Sequence, residues 1–427
     1  MKKLFCVLLS LLLVIGLFAG CSKEKKNTLQ VGYARVDISP YDSYLPLRGY
    51  GDEDTRFSTG VADPIYTTCT AFKDGEGNTI LLFHNDLIAS FADPIGFARR
   101  DISKETGIPI GNIMVAATHT HHGPGISNTN KDPGIDKYNK NLREWMLEAA
   151  KAAIADLKDA KMYISSIETE GLNFTRHYLM NDGTVAGDNF GSHKSGYAGH
   201  VRKADPVMQL VKFTREGGKD VILVNFQTHP HRAGGGDIYT KVTADLVGTM
   251  RDNIEPALNC HFAYFTGASG DVNPSSRIPE ENAAKNYIEQ GKMLSDYAVK
   301  ASANWAEASV GKLQILSNTY KAEPKEGVKG ASDILQYAFS IGDVAFVMAP
   351  YEMFNENGEQ IKNGSPFKMT FVCTLANDHV RYIPSTNGYE YNGLLSYGAN
   401  VTRYAKGTGD ALASKYVEML NELYKTK

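Results

Sequence analysis

Two short histidine-rich segments have the residue types and the spacing that a metal site needs. His119, His121 and His122 follow the apolar residues 113–117, and a Gly-Pro-Gly turn comes directly after them. Alternate side chains of a strand share a face, so His119 and His121 are predicted to point one way and His122 the other. Two imidazoles on one face at a strand end favour a metal site. A hydrogen-bonded turn that happens to be rich in histidine is the alternative.

A second segment of the same kind strengthens the metal interpretation. His229 and His231 follow the apolar residues 221–226 and precede three glycines at 234–236. The chain has 11 histidines in 427 residues, and five of them lie in these two segments. Loops at strand ends commonly supply the ligands of a catalytic metal. We therefore predict that the two segments meet at one metal site.

Other strand-end loops offer further groups for such a site. The glycines of residues 265–274 would let backbone amides of this loop stabilise an oxyanion. Asp271 in the same loop would orient a ligand histidine. The alternative is that the whole segment is an ordinary structural turn. Glu352 would complete a His/His/Glu set, which zinc accepts with a position open for water, or would be a charge at a helix start. Arg176 would hold a carbonyl or a developing negative charge unless it is a surface residue. Residues 375–384 are unusually polar for a segment behind an apolar strand.

The strands and helices that the sequence predicts around these loops indicate an α/β fold. Apolar runs that indicate buried strands lie at residues 79–83, 113–117, 221–226, 262–266 and 344–348. Helical periodicity covers residues 141–157, 242–254, 283–308 and 411–424. Residues 162–172 and 311–320 alternate like amphipathic strands, so the sheet is expected to be mixed. We predict a mixed sheet flanked by helices in a single large catalytic domain, with the metal site in loops at the strand ends.

The amino-terminal residues resemble the leader of a bacterial lipoprotein. Two lysines precede a short apolar run, and small residues stand directly before Cys21. We expect residues 1–20 to be a signal peptide, residues 21–28 a tether lipidated at Cys21, and residues 29–427 the catalytic domain. The protein would then be extracytoplasmic and anchored to a bacterial membrane. An ordinary secretory signal is the alternative.

Composition argues against several other classes of protein. The net charge of −3 gives no reason to expect nucleic-acid binding. Beyond the leader, Cys69, Cys260 and Cys373 are isolated, which predicts buried thiols rather than disulfides or a thiolate metal site. Through Cys21, a membrane is an expected partner.

Several motifs resemble, in order, the amino-terminal catalytic domain of the neutral (non-lysosomal) ceramidase family. Residues 32–40 are similar to the family's opening Gly-x-x-x-x-Asp-Ile-Thr segment, and residues 62–66 to its Asp-Pro-Leu-Tyr. Residues 118–125 are close to Thr-His-Thr-His-Ser-Gly-Pro-Gly, a specific motif, and residues 270–274 to Gly-Asp-Val-Ser-Pro. The resemblance spans nearly the whole mature chain.

The resemblance implies a zinc-dependent amidase that acts on a small-molecule N-acyl or lipid-like substrate, and it assigns residues to the site. The positions that match the family's Zn²⁺ ligands are His119, His229, Glu352 and Tyr382. His121 and Arg176 match positions that contact the substrate or the catalytic water, and Tyr397 matches a further site tyrosine. The implied hydrolysis uses a zinc-activated water, with His121 as general base and then acid. Arg176 and Asn273 would steady the tetrahedral oxyanion.

Two departures from the family shape the prediction. Asn273 replaces the family's serine, and because asparagine is no nucleophile, a mechanism that needs that serine is ruled out. The chain is also expected to lack the family's carboxy-terminal immunoglobulin-like domain. We predict a lipid-anchored zinc hydrolase that cleaves an amide bond, with ceramide, a smaller amide or an ester left open as substrate. The alternative is a non-catalytic binding lipoprotein in which Asn273 marks a dead site.

Overall fold

Buried strands form where the sequence has continuous apolar runs, and the computed structural model describes residues 28–52, 54–127, 129, 131–187 and 195–427. In chain order the strands are β1 (Leu29–Asp37), β2 (Leu47–Arg48), β3 (Tyr66–Asp74), β4 (Thr79–Asn85), β5 (Ile113–Ala117), β6 (Gly123–Pro124), β7 (Lys158–Glu168), β8 (Phe174–Thr175), β9 (His177–Met180), β10 (Val185–Gly187), β11 (Tyr197–His200), β12 (Val207–Arg215), β13 (Asp220–Phe226), β14 (Cys260–Thr266), β15 (Val272–Asn273), β16 (Ala306–Ala308), β17 (Leu313–Tyr320), β18 (Ile334–Ile341), β19 (Val344–Met348), β20 (Glu352–Met353), β21 (Met369–Cys373), β22 (Tyr382–Ile383), β23 (Glu390–Tyr391) and β24 (Leu394–Leu395).

Helices alternate with these strands along the chain. They are α1 (Ala92–Thr106), α2 (Pro133–Ala155), α3 (Leu246–Leu258), α4 (Tyr287–Ala301), α5 (Asn355–Gly364), α6 (Tyr397–Val401) and α7 (Thr408–Lys425). Single 3₁₀ turns cover Ile110–Asn112, Gly236–Thr240, Pro279–Glu281 and Ser302–Asn304. Of the helices in the described ranges, none combines the length and the apolarity that a bilayer-spanning segment requires.

Nine strands form a large mixed sheet. Its order is β14-β13-β12-β7-β1-β3-β4-β5, and β16 pairs with β7 outside this path. The end pairs β13–β14 and β4–β5 are parallel, whereas the pairs between them are antiparallel. The two ends of the sheet approach each other, since the hydroxyl of Thr266, the last residue of β14, donates to the Thr118 carbonyl after β5 at 2.6 Å. Loops that follow strands at opposite ends of the sheet therefore meet.

A second sheet covers one face of the first. Its order is β17-β18-β19-β21, with β19 and β21 parallel. Apolar side chains of both sheets, such as Phe72 and Phe339, share one core cluster. Helices α1 and α2 cover the outer face of the large sheet at β1 and β3–β5, and α3 and α4 cover it at β12–β14. Helices α5 and α7 cover the second sheet, so the layers run helix, sheet, sheet, helix.

The predicted α/β class with a mixed sheet is confirmed, and the differences are mainly at helix ends. Helix α2 starts at Pro133 rather than residue 141, because the Asp132 side chain accepts the N–H groups of Gly134 and Ile135 and caps it. Asp245 likewise caps α3, three residues after the predicted start. The predicted helix 283–308 is confined to α4, and its last residues form β16. The three described cysteines are buried and unpaired, as predicted.

Candidate metal centre

The ring nitrogens of His119 and His229 are arranged as metal ligands would be. His119 follows β5, and its Nδ1 lies 2.6 Å from the carbonyl oxygen of Ile88. His229 follows β13, and its Nδ1 lies 3.0 Å from the carbonyl oxygen of Val272. Because a carbonyl only accepts, each Nδ1 must carry the proton, which leaves both Nε2 lone pairs available to a metal ion.

Glu352 and Tyr382 bring oxygen atoms to the same point. Glu352 Oε2 lies 3.5 Å from His119 Nε2 and 3.3 Å from His229 Nε2. The Tyr382 hydroxyl lies 3.5 Å from His229 Nε2. Parallel pairing of β20 with β22 sets Glu352 opposite Tyr382 in register, so one short ladder positions both side chains. Two nitrogen and two oxygen atoms from four separate segments of the chain therefore converge.

The protonation states around this point suit a cation. Burial raises the pKa of Glu352, but the imidazoles of His119, His229 and His379 outweigh it and hold that pKa well below its usual range. Burial lowers the pKa of His229 to about 4. The carboxylate is thus ionised and the imidazole neutral near pH 7, which are the forms that bind metal. Glu352 Oε2 is buried and makes no hydrogen bond within the described chain.

His121 joins His119 and His229 in a buried three-histidine cluster that can hold a metal ion. Its Nε2 lies 3.4 Å from His119 Nε2. Burial, reinforced by the neighbouring imidazoles, lowers the pKa of His121 well below its ordinary value, so the ring is neutral near pH 7. A neutral imidazole here is equipped to act as a third nitrogen ligand or as a base.

The predicted directions of His119, His121 and His122 are correct, but for a different reason from the one expected. The strand ends at Ala117, so alternation along a strand does not reach the histidines. His119 instead takes a left-handed backbone conformation, with φ of 70°. His122 points away, with Nδ1 3.1 Å from the Lys241 carbonyl and Nε2 3.3 Å from the Tyr50 hydroxyl.

Arg176 is buried beside the centre and is not a surface residue. It follows β8, which pairs with β15, and its backbone N–H donates to the Asp271 carbonyl at 2.9 Å. Its guanidinium carbon lies 5.2 Å from the ring centre of Tyr382 and 4.9 Å from that of Tyr397. The guanidinium also donates to the Gly270 carbonyl. Packing between two aromatic rings gives this cation a defined position next to the ligand cluster.

Asn273 lies at the same cavity and is also buried. It belongs to β15, and its Oδ1 lies 3.3 Å from His231 Nε2. His231 therefore links the second histidine segment to the loop of residues 265–274. The expectation that Asp271 orients a ligand histidine is wrong: its carboxylate accepts the Asn355 N–H at 2.7 Å at the start of α5, and the Val272 carbonyl orients His229 instead.

Sequence reasoning missed one histidine at the centre. His379 Nε2 lies 3.3 Å from Glu352 Oε1, the carboxylate oxygen that faces away from the ligand cluster. Its ring also packs edge-on against Phe91, with centroids 5.2 Å apart. The polarity of residues 375–384 was the available signal, but nothing in the spacing tied His379 to Glu352.

Comparisons with known proteins agree with this geometry at the level of fold. No protein-family model matches the sequence, and a search of curated proteins finds no match. Among solved structures, a ceramidase complexed with C2 superposes with a TM-score of 0.77 at 15% identity, covering 94% of this chain and 76% of that one. The neutral ceramidase from Pseudomonas aeruginosa superposes with a TM-score of 0.75 at 15% identity, covering 94% of this chain and 75% of that one.

The chain has the neutral ceramidase fold. The motif resemblance noted in the sequence is thereby confirmed for the architecture, over nearly all of the chain. Identity of 15% carries no assignment of individual residues, so any role for the residues of this centre has to be argued from the distances above.

Proposed function

We propose that this protein is a zinc-dependent hydrolase that cleaves an amide bond. The observation that carries the proposal is the convergence of His119 Nε2, His229 Nε2, Glu352 Oε2 and the Tyr382 hydroxyl. Three of their separations, Glu352 to each imidazole and Tyr382 to His229, are 3.3 to 3.5 Å. These distances match the edge of a tetrahedron with bonds of about 2.0–2.2 Å, which is about 3.3–3.6 Å. Nitrogen and oxygen donors of this kind, oriented by backbone carbonyls, are typical of zinc sites.

Zinc bound there would supply Lewis acidity, which polarises a carbonyl and acidifies water. His121 would take a proton from the attacking water and return it to the leaving nitrogen as the C–N bond breaks. Support for this role is its neutral imidazole, 3.4 Å from the ligand His119. Arg176 and Asn273 would donate hydrogen bonds to the oxyanion, since both border the cavity above the centre.

The amide bond as the target is supported by the fold that the chain shares with ceramidases. A ceramidase cleaves the amide of an N-acylated lipid base, and the superposed structures carry that name. Asn273 stands at the position of the family's serine in the motif resemblance, so a mechanism that needs that particular serine is ruled out. A non-catalytic metal-binding protein is the competing function, and that same asparagine favours it.

Metal content measured by mass spectrometry on the purified full chain tests the centre. We expect about one zinc per chain in the wild type and none in His119→Ala or Glu352→Ala. The control variant is His261→Ala, which lies at the opposite end of β14 and should also bind about one zinc.

The variant His121→Ala tests the role of the base. It should keep its zinc but lose at least about 100-fold in turnover of N-acyl substrates. Loss of zinc from His121→Ala would make His121 a ligand rather than the base. Stoichiometric zinc without turnover of any amide would favour the binding protein.

We also propose that the protein is anchored to a bacterial membrane through Cys21. The proposal rests on the leader-like sequence alone, since residues 1–27 lie outside the described part of the chain. Metabolic labelling with radioactive palmitate should mark the wild type and not Cys21→Ala. An unlabelled wild-type protein released into the medium would instead indicate an ordinary secretory signal.

A further inference from the structure

The loop of residues 47–52 lies directly against His121, the proposed base. The loop begins with β2, which pairs with β6 just beyond the histidines. A Cβ atom at Gly49 would lie 2.5 Å from the Cβ and Cγ atoms of His121, so only glycine allows so close an approach. Beyond this loop, Arg56 Nη2 donates to the His121 carbonyl at 2.8 Å. These contacts fix the backbone of His121.

Tyr50, in the same loop, contacts both histidine segments. Its hydroxyl oxygen lies 3.3 Å from His122 Nε2 and 3.1 Å from the His231 carbonyl oxygen. Its ring centre lies 5.0 Å from that of His121, and the two ring planes are inclined at 64°. Rings at this separation and inclination attract each other, because the edge of one is positive and the face of the other negative. Tyr50 also lines the cavity above the proposed metal centre.

The ring of His122 is in the state that an anchor for the Tyr50 hydroxyl needs. Its Nδ1 faces the Lys241 carbonyl, which only accepts, so Nδ1 carries a proton. Burial, with Arg56 nearby, lowers the pKa of His122 to about 4, so the ring is neutral near pH 7 and Nε2 is an acceptor. Burial also raises the pKa of Tyr50 well above its ordinary value, which keeps its hydroxyl protonated. The hydroxyl is therefore a donor with an acceptor in each histidine segment.

We propose that Tyr50 is a positioning residue for His121, with His122 as the anchor of its hydroxyl. The inference rests on the proposed hydrolase function, in which His121 is the base. The hydroxyl holds the Tyr50 ring at the junction of the two histidine segments, and the ring holds the His121 imidazole in the wall of the cavity. This role accounts for the third histidine of the first segment, which points away from the centre. A displacement of about 1 Å at a catalytic group can cost roughly 100-fold in rate.

Steady-state kinetics on the zinc-loaded full chain test this role, with an octanoyl-aminocoumarin amide as the fluorogenic substrate. Tyr50→Ala should bind about one zinc and lose about 100-fold in kcat, with KM within about threefold of the wild-type value. Tyr50→Phe keeps the ring and should lose about fivefold, the equivalent of one neutral hydrogen bond. Wild-type kcat in Tyr50→Ala would overturn the proposal. Loss of zinc from that variant would also overturn it, because Tyr50 would then position a ligand rather than the base.

The matched control is Tyr138→Phe on α2. This change also removes a buried hydroxyl donor, in this case to the Ile38 carbonyl at 2.8 Å. Because Tyr138 packs on the outer face of the large sheet, kcat should stay within about twofold of the wild-type value. A fivefold loss in this control as well would reduce the effect of Tyr50→Phe to general destabilisation and refute a positioning role for its hydroxyl.

A double-mutant cycle tests the pairing of Tyr50 with His122. If His122 acts through the Tyr50 hydroxyl, the double variant Tyr50→Phe/His122→Ala should lose no more in kcat than the larger of the two single changes. Losses that multiply would show that His122 has a separate effect and would refute the pairing.

Nuclear magnetic resonance of the full chain, isotopically labelled at the histidine ring nitrogens, tests the position of the base without turnover. The His121 ring signals should be single in the wild type and in Tyr138→Phe, and they should broaden or split in Tyr50→Ala. Unchanged signals in Tyr50→Ala would refute the positioning role. If no amide is hydrolysed, the proposed function fails, whereas these signals still decide whether Tyr50 holds the His121 ring.

Discussion

At the scale of single residues, the proposed metal centre depends on how the Glu352 carboxylate is oriented. One oxygen faces His119 and His229, and the other lies 3.3 Å from His379 Nε2. Because a carboxylate only accepts, that ring nitrogen must carry a proton. His379 therefore holds the carboxylate in the orientation that directs Oε2 toward the two ligand imidazoles.

His379→Ala is expected to weaken zinc binding by about 10- to 100-fold, which is the usual loss when the outer partner of a ligand is removed. His379→Gln keeps an N–H donor near the same position and should recover most of that affinity. Competition with a chromophoric chelator gives the dissociation constants without any activity assay. Equal affinities for the wild type and His379→Ala would show that Glu352 is oriented without His379.

At the scale of elements, the centre depends on a close contact between the loop of residues 265–274 and β20. The backbone N–H of Gly270 donates to the Met353 carbonyl at 2.7 Å. A Cβ atom at residue 270 would lie 2.8 Å from the Glu352 carbonyl oxygen and 2.9 Å from that of Met353. Only glycine allows the two backbones to approach so closely, and this approach sets the ligand-bearing strand against the loop that carries Asn273.

Gly270→Ala should push β20 away and lower the free energy of unfolding by about 1–3 kcal/mol, as overpacking usually does. Zinc affinity should fall with it, because Glu352 moves. Gly111→Ala is the matched control, since nothing lies within 4 Å of a Cβ built there. Urea unfolding of both variants, without metal, measures the difference. If Gly270→Ala is as stable as Gly111→Ala, the loop can move to accept the methyl group without any loss in the free energy of unfolding.

At the scale of the whole molecule, the proposed metal ligands come from both sheets. His119 and His229 follow β5 and β13 of the large sheet, whereas Glu352 and Tyr382 follow β19 and β21 of the second sheet. An ion held by all four would link the two layers across one end of the molecule. Metal binding should therefore stabilise the whole fold rather than one loop.

Removal of zinc is expected to lower the melting temperature. Binding at a free metal concentration 100-fold above the dissociation constant stabilises the folded state by about 2.7 kcal/mol. Calorimetric scans of the full chain with zinc and with a chelator measure the shift. Glu352→Ala should melt at nearly the same temperature in both conditions. A wild-type melting temperature that does not change with the chelator would contradict a link between the sheets.

The sequence by itself determined the elements and the chemistry of the loops. Apolar runs predicted β5, β13 and β19 within a residue or two, because burial on both faces requires unbroken apolar stretches. The histidine segments after β5 and β13 predicted a shared metal site, since strand-end loops are where ligands come from. The predicted starts of α2 and α3 were wrong because they were placed from apolar periodicity alone. The capping residues Asp132 and Asp245 mark the true starts.

Tertiary structure decided which side chains meet. His119 and His229 follow strands at opposite ends of the sheet, and they are close only because those ends come together at Thr118 and Thr266. Tyr382 entered the site through resemblance, and His379 was not foreseen, because both depend on the pairing of β20 with β22. The contacts of Glu352 with His379 and Tyr382 join residues about 30 positions apart through backbone pairing and packing. Local sequence patterns carry no record of these contacts, because only the packing of the folded chain brings the residues together.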